Sequence, residues 1–300
     1  MLNVIKSKWI CLGISIVIIL AGIVGYIVND GFNLDIDFTG GTTITVDMQG
    51  KDYNVEDVKT LINDTIGFPA SNVQNSEGSI IISISTPKTI NDDAALSTDD
   101  RIKLFNTIKD KYELTEDALT DYDSIDATIG GELKQSAILS CVVALLLMLV
   151  YISIRFEFWS GIAAVLSLAH NVFILLSIYA IFQFNINTTF IAAILTIVGY
   201  TINDTIVTFD RIREITRKVK KTPFTEIVNR GVNETLVRSI NTSVTTLLTI
   251  VILYFVGVQS IKEFALPIVV GILIGTYSSI FIASPIWSMF KKDKDAKKAA

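Results

Sequence analysis

Six long apolar runs dominate the pattern of the chain, at 9–28, 136–154, 161–182, 188–209, 240–258 and 264–290. Each is close to the roughly 20 residues that cross a bilayer as a helix. Lys6 and Lys8 precede the first run, as in a signal peptide. That run is nevertheless long for a signal segment, and Asn29-Asp30-Gly31-Phe32 follows it in place of a small-residue cleavage site, so it reads as a retained helix. Arg155-Phe156-Glu157-Phe158-Trp159 leaves only a very short loop between the second and third runs.

The rhythm changes between the first two runs. Thr42 to Met48 alternates and is rich in Thr, Ile and Val, which predicts a strand. Asn54 is placed to cap a helix over 55–66, with Val55, Val58, Leu61, Ile62 and Thr65 on one face and Gly67 and Pro69 at its end. Ile80 to Ser85 predicts a second strand, and Asn72 to Gln74 a weak one paired to it through Ser76-Glu77-Gly78. A helix from Asp99 or Asp100 to about Tyr112 places Ile102, Phe105 and Ile108 at helical spacing, and an acidic last strand falls within 118–129. The order β-α-β-β-α-β is that of a ferredoxin-like domain. The expected architecture is a six-helix membrane protein with one α+β domain. A first helix (1–28) precedes that domain (29–134). Five helices (135–290) with a cytoplasmic loop (211–239) follow, and a basic tail (291–300) ends the chain.

Composition agrees: half the residues are hydrophobic and 18% are charged, against about 25% in soluble domains. The net charge of −5 hides an asymmetry that fixes direction. Residues 29–134 carry 8 Lys/Arg against 21 Asp/Glu, whereas 211–238 carry 8 against 3 and the tail from Lys291 carries 5 against 2. Basic segments near span ends stay inside. With six spans this places both termini and the 211–238 segment in the cytoplasm and the acidic domain outside.

Candidate chemistry is sparse. Cys11 and Cys141 both lie in apolar runs and His170 is the one histidine, so neither a disulfide framework nor a multi-histidine metal site is expected. No P-loop, calcium loop or nucleophile elbow occurs. No cofactor, metal, catalytic residue or nucleic-acid partner is therefore expected, and the acidic side chains of 29–134 read as a solvated surface. Asp204 stands out. It lies 16 residues into the fourth run, about 24 Å along a helix axis. A carboxylate at that depth needs a partner or a wet cavity and is a functional candidate. Thr201, Thr205 and Thr208 share its face, with Asn203 beside it. Arg238, Asn241, Thr242, Thr245 and Thr249 form a second stripe on the fifth run, expected to face the first, with Arg238 reaching toward Asp204. Ser167, His170 and Asn171 add polarity in the third run; Gly271, Gly275 and Ser278 or Ser279 form a small packing face in the sixth.

Several motifs in order carry a resemblance: Asp35-Ile-Asp-Phe-Thr-Gly-Gly41, Gly199-Tyr-Thr-Ile-Asn-Asp-Thr-Ile-Val207, Asp210-Arg-Ile-Arg-Glu214, Arg238-Ser-Ile-Asn-Thr-Ser243 and Gly275-Thr-Tyr-Ser-Ser-Ile-Phe-Ile-Ala-Ser-Pro285. From the first run to about residue 290 the chain resembles the SecF family, the smaller half of the SecDF protein-export complex. The resemblance implies half of an RND-type (resistance–nodulation–division) helix bundle in a bacterial or archaeal cytoplasmic membrane. It also implies a SecD partner, the SecYEG channel and exported preproteins as associates, a role driven by the proton motive force rather than an enzymatic one, and proton coupling at Asp204 assisted by Arg238. Family members commonly carry His-Asp where this chain has His170-Asn171, which places more of the burden on Asp204.

Two other readings remain at this point, half of an RND-type lipid or drug exporter and a non-transporting partner in which Asp204 locks helices together. Loss of proton-dependent activity in Asp204→Asn separates the lock from the others, and co-purification with SecYEG separates export assistance from lipid or drug efflux. The topology itself is testable: reporters fused at Asp93 and Lys220 should read outside and inside respectively, and the reverse pattern would contradict the charge argument.

Overall fold

The structure is a computed structural model and describes residues 2–70, 72–76, 78–85, 96–155, 157–219 and 222–291. Helix α1 (Val4–Val28) leads to a short α2 (Ile36–Thr39), then β1 (Gly41–Asp47), α3 (Val55–Ile66), β2 (Asn72–Ser76), β3 (Ser79–Ile84), α4 (Thr98–Tyr112) and β4 (Leu119–Ile125). The remainder is helical: α5 (Ala127–Arg155), α6 (Phe158–Phe182), α7 (Thr188–Lys218), α8 (Phe224–Val256) and α9 (Gln259–Ser278), which passes through a π turn (Ser279–Ala283) into α10 (Ser284–Phe290). Among the described residues six helices are long and apolar enough to cross a membrane, the last formed by α9 and α10 together. The protein is a multi-pass membrane protein. Two compact units divide it: Asn33–Ile138 with Asn185–Thr188, and Met1–Phe32, Leu139–Phe184 and Thr189–Ala300.

In the helical unit, α1 packs along α6 because Gly22 and Gly25 remove side chains from the contact. A Cβ on Gly22 would stand 2.3 Å from that of Ser177. Ile14, Val17 and Leu20 of α1 and Leu146, Val150 and Ile154 of α5 are exposed, an exterior suited to lipid.

The expected cytoplasmic loop at 211–239 is mostly helix. α7 continues to Lys218 and α8 begins at Phe224, and the connection between them includes Lys220 and Lys221, which lie outside the described residues. The charges that suggested a loop pair at helical spacing instead. Glu214 accepts from Lys218 at 2.6 Å and bonds Arg211, and Glu234 accepts from Arg230 at 2.8 Å. Arg211 also reaches Glu234 at 2.5 Å, joining the two helices. Of the basic tail, only Lys291 is described, and Glu77 of the expected turn is likewise outside the described residues.

The other unit forms a four-stranded sheet among the described residues, in the order β2-β3-β1-β4, every neighbouring pair antiparallel. Its core joins Ile44 and Val46 of β1, Ile80, Ile82 and Ile84 of β3, Val58 and Ile62 of α3, and Leu104, Phe105 and Ile108 of α4. α3 has the predicted bounds: the Asn54 side chain accepts from the Glu56 N–H at 2.9 Å, and Gly67 closes the helix at φ 84. On α4, Leu104 is buried and Ile102 is exposed, a shift of the expected face. β4 is polar and exposed almost throughout, so its sequence shows no alternation to mark it.

The Asp35–Gly41 motif has a local explanation. The Asp35 side chain caps α2 through the Ile36 N–H at 2.9 Å and accepts from the Asn185 amide at 2.8 Å. Burial pushes its carboxyl above the usual carboxylate range. Asp37 accepts the N–H and hydroxyl of Thr188, at 2.8 and 2.6 Å, which caps the first residue of α7. Gly41, at φ 144, lies where a Cβ would stand 2.4 Å from the Ile84 carbonyl oxygen, so only glycine fits.

The isolated segment 33–138 should unfold cooperatively. Ile82→Ala, at a fully buried site, should destabilise it by about 2–5 kcal/mol. Tyr122→Ala on exposed β4 should cost about 1 kcal/mol or less. Urea denaturation followed by circular dichroism checks both.

Candidate functional site

Thr201, Thr205 and Thr208 are buried; Asp204 is half-buried between them and Asn203 points to the exterior. Thr201 and Thr205 return their hydroxyls to the carbonyls of Ile197 and Thr201, at 2.8 and 3.3 Å, so they satisfy themselves within the helix. Asp204 cannot do this, because an ionised carboxylate only accepts. Both of its oxygens are used: Ser239 of α8 donates to Oδ1 and Ser279, the first residue of the π turn, donates to Oδ2. One carboxylate thus joins three helical segments.

Hydroxyl pairs surround it. Ser243 of α8 meets Thr276 of α9 at 2.6 Å, Thr208 meets Thr235 of α8 at 3.3 Å, and Ser167 of α6 meets Ser278 at 2.5 Å. The small-residue face allows this closeness. A Cβ on Gly275 would lie 2.0 Å from Thr201 Cγ2, and one on Gly271 2.3 Å from Ile197 Cδ1. Asn171 is buried beside Gly275, its amide nitrogen 3.9 Å from that added Cβ. His170 is tied elsewhere: Nε2 bonds Ser15 of α1 at 2.8 Å and Nδ1 bonds Asn171 at 3.3 Å, a structural link between α1 and α6.

The α8 stripe is corrected by the structure. Arg238, Asn241, Thr242 and Thr245 lie on its exposed face, and among the described residues Arg238 forms no ion pair with Asp204. One residue further along the helix, Ser239 turns inward, about 100° away around the axis. The inward face of α8 is Thr235, Ser239 and Ser243, spaced at four residues. The two donors to Asp204 are Ser239, which the sequence reading did not single out, and Ser279, which it placed only on the small-residue face of the sixth run. The signal for Ser239 was its four-residue recurrence with Gly231, Thr235 and Ser243, Gly231 being packed on Ile212 of α7; that for Ser279 was its recurrence with Gly271 and Gly275. Among the described residues no cluster of His, Cys, Asp or Glu is arranged to hold a metal.

A helix bundle whose interior acid is held by hydroxyls from its neighbours, with one α+β unit attached, defines an integral membrane subunit rather than a soluble enzyme fold. Residues 105–293 match the profile described as "Protein export membrane protein SecD/SecF, C-terminal". The chain is 35% identical over 290 residues to the protein translocase subunit SecF of Petrotoga mobilis, covering 95% of each chain. It is 36% identical to SecF of Haemophilus influenzae, covering 87% of this chain and 78% of that one. The crystal structure of SecDF from Thermus thermophilus, described as a translocon-associated membrane protein, superposes with a TM-score of 0.84 at 33% identity, covering 97% of this chain and 38% of that one. The chain belongs to the SecD/SecF family of protein-export membrane proteins.

The glycine contacts generate a test. Gly275→Val should lower the thermal unfolding temperature of the detergent-solubilised chain, because Thr201 leaves no room. Gly13→Val, with nothing within 4 Å, should leave it unchanged.

Proposed function

We propose that this chain is a subunit of the Sec preprotein translocase that converts a proton gradient into late steps of export. Its α+β unit would be ferredoxin-like and face the outside, and both termini would lie in the cytoplasm. The β-α-β-β-α-β order and the antiparallel order β2-β3-β1-β4 support the ferredoxin-like reading. The basic ends of α7 and α8 support the orientation. The translocase subunits named above support the Sec assignment; a lipid or drug exporter half gains nothing from them.

The observation that carries the mechanism is the double hydroxyl grip on Asp204. While ionised, the carboxylate accepts from Ser239 and Ser279 together. Protonation makes one oxygen a donor, so its serine must turn its own hydroxyl elsewhere, as Ser279 can toward the Thr276 carbonyl at 3.1 Å, and both bonds lose their charge assistance. The hold of α7 on the helix carrying that serine is weakened. The π turn that begins at Ser279 is the segment best placed to respond, since its extra residue per turn can be passed along the helix. That makes a two-state element biased by protonation. One charge moved across 100 mV supplies roughly 2.3 kcal/mol, enough to bias such an element.

Asn203, Arg238 and Asn241 face outward with no side-chain partner among the described residues. Polar groups on the outside of a membrane bundle require protein against them. We assign that face to SecD, since the chain matches 37% of a fused SecDF protein whose other portion would supply the partner. Arg238 would then act across the subunit boundary. SecYEG and the emerging preprotein complete the assembly.

Asp204→Asn should abolish gradient-driven stimulation of export while leaving expression and SecD co-purification intact. Ser239→Ala and Ser279→Ala should each lose about tenfold, the rate equivalent of one charge-assisted hydrogen bond. Arg238→Gln should weaken SecD co-purification without altering the stability of the isolated subunit. Export by Asp204→Asn at the wild-type rate under an imposed gradient would overturn the reading.

A further inference from the structure

Outside the Asp204 site, the helical unit holds a cavity of about 160 Å³ lined by Glu157, Arg213, Thr216, Arg217, Trp287 and Lys291. Three of its six lining side chains are cations and one is an anion. Arg213 and Arg217 are one helical turn apart on α7, so both project to the same side. Arg213 donates to the Arg155 carbonyl at 3.3 Å, which fixes its reach. Lys291 donates to Glu157 at 3.0 Å and lies over the rings of Phe224 and Trp287, at 4.7 and 5.7 Å. Arg217 is exposed and has no anionic partner among the described residues.

An exposed aromatic group adjoins the cavity in sequence and in space. Phe158 and Trp159 follow Glu157, and Phe290 precedes Lys291. Trp159 stacks on Phe290 at 5.5 Å and meets Phe158 edge-on at 5.8 Å. Trp and its aromatic neighbours favour the boundary between hydrocarbon and headgroups. A basic cavity beside an exposed aromatic cluster at that depth suits a headgroup on one side and acyl chains on the other.

We propose that this cavity binds the phosphate group of an anionic phospholipid, held by Arg213, Arg217 and Lys291 with Thr216 as an added donor. The site goes beyond the proton-coupling reading and does not depend on it.

The test uses the full chain in detergent and native mass spectrometry, with phosphatidylglycerol, phosphatidylcholine and inorganic phosphate as probes. One phosphatidylglycerol should be retained per chain in preference to phosphatidylcholine. Arg213→Gln/Arg217→Gln should weaken its retention about thirtyfold. Lys218→Gln, whose lysine pairs with Glu214 away from the cavity, should not weaken it. If inorganic phosphate displaces the lipid, the phosphate contact is confirmed and free phosphate becomes a second source for it. Equal retention of the two lipids, or no loss in the double variant, would overturn the proposal.

Discussion

A carboxylate placed inside a helix that crosses a membrane must find its hydrogen bonds in protein, and the helical unit is arranged around that demand. Asp204 takes one donor from α8 and one from the π turn after α9. Neither donor carries charge. The carboxylate is therefore held by two charge-assisted hydrogen bonds from neutral hydroxyls rather than by an ion pair.

The rest of the packing serves this closeness. Glycines at 271 and 275 bring α9 against α7, and Gly231 brings α8 against Ile212 of α7. Hydroxyl pairs then fill the seam without adding charge. Thr201 and Thr205 donate their hydroxyls to the carbonyls of Ile197 and Thr201 one turn back, so neither is a donor to Asp204. In the other unit, Asp37 accepts from the N–H and hydroxyl of Thr188, which gives the Asp35–Gly41 motif a local structural role.

Much of this was legible in the residues. Helical spacing placed Thr201, Asp204, Thr205 and Thr208 on one inward face, and Asn54 and Gly67 marked both ends of α3. Spacing was less decisive on α8. Arg238 and Ser239 are adjacent in sequence but about 100° apart around the helix, and charge drew attention to the one that faces outward. A serine is too common and too weakly patterned to announce itself. The helical extensions of α7 and α8 were hidden for another reason. Their apolar stretches stop near Phe209 and begin near Ile240, and the charged turns beyond are stabilised by Glu214 and Glu234, whose pairs look like loop polarity in a linear reading. β4 was found only by its place in the order, since it has no buried face of its own.

The central claim is that Asp204 changes protonation and that this change is read through Ser239 and Ser279. Infrared difference spectroscopy on the subunit assembled with SecD, recorded between neutral and acidic pH, measures it directly. The account predicts a carboxylic-acid stretch that appears on acidification, shifts in frequency in Ser239→Ala and Ser279→Ala, and is absent in Asp204→Asn. An identical difference spectrum for the native chain and Asp204→Asn would contradict it.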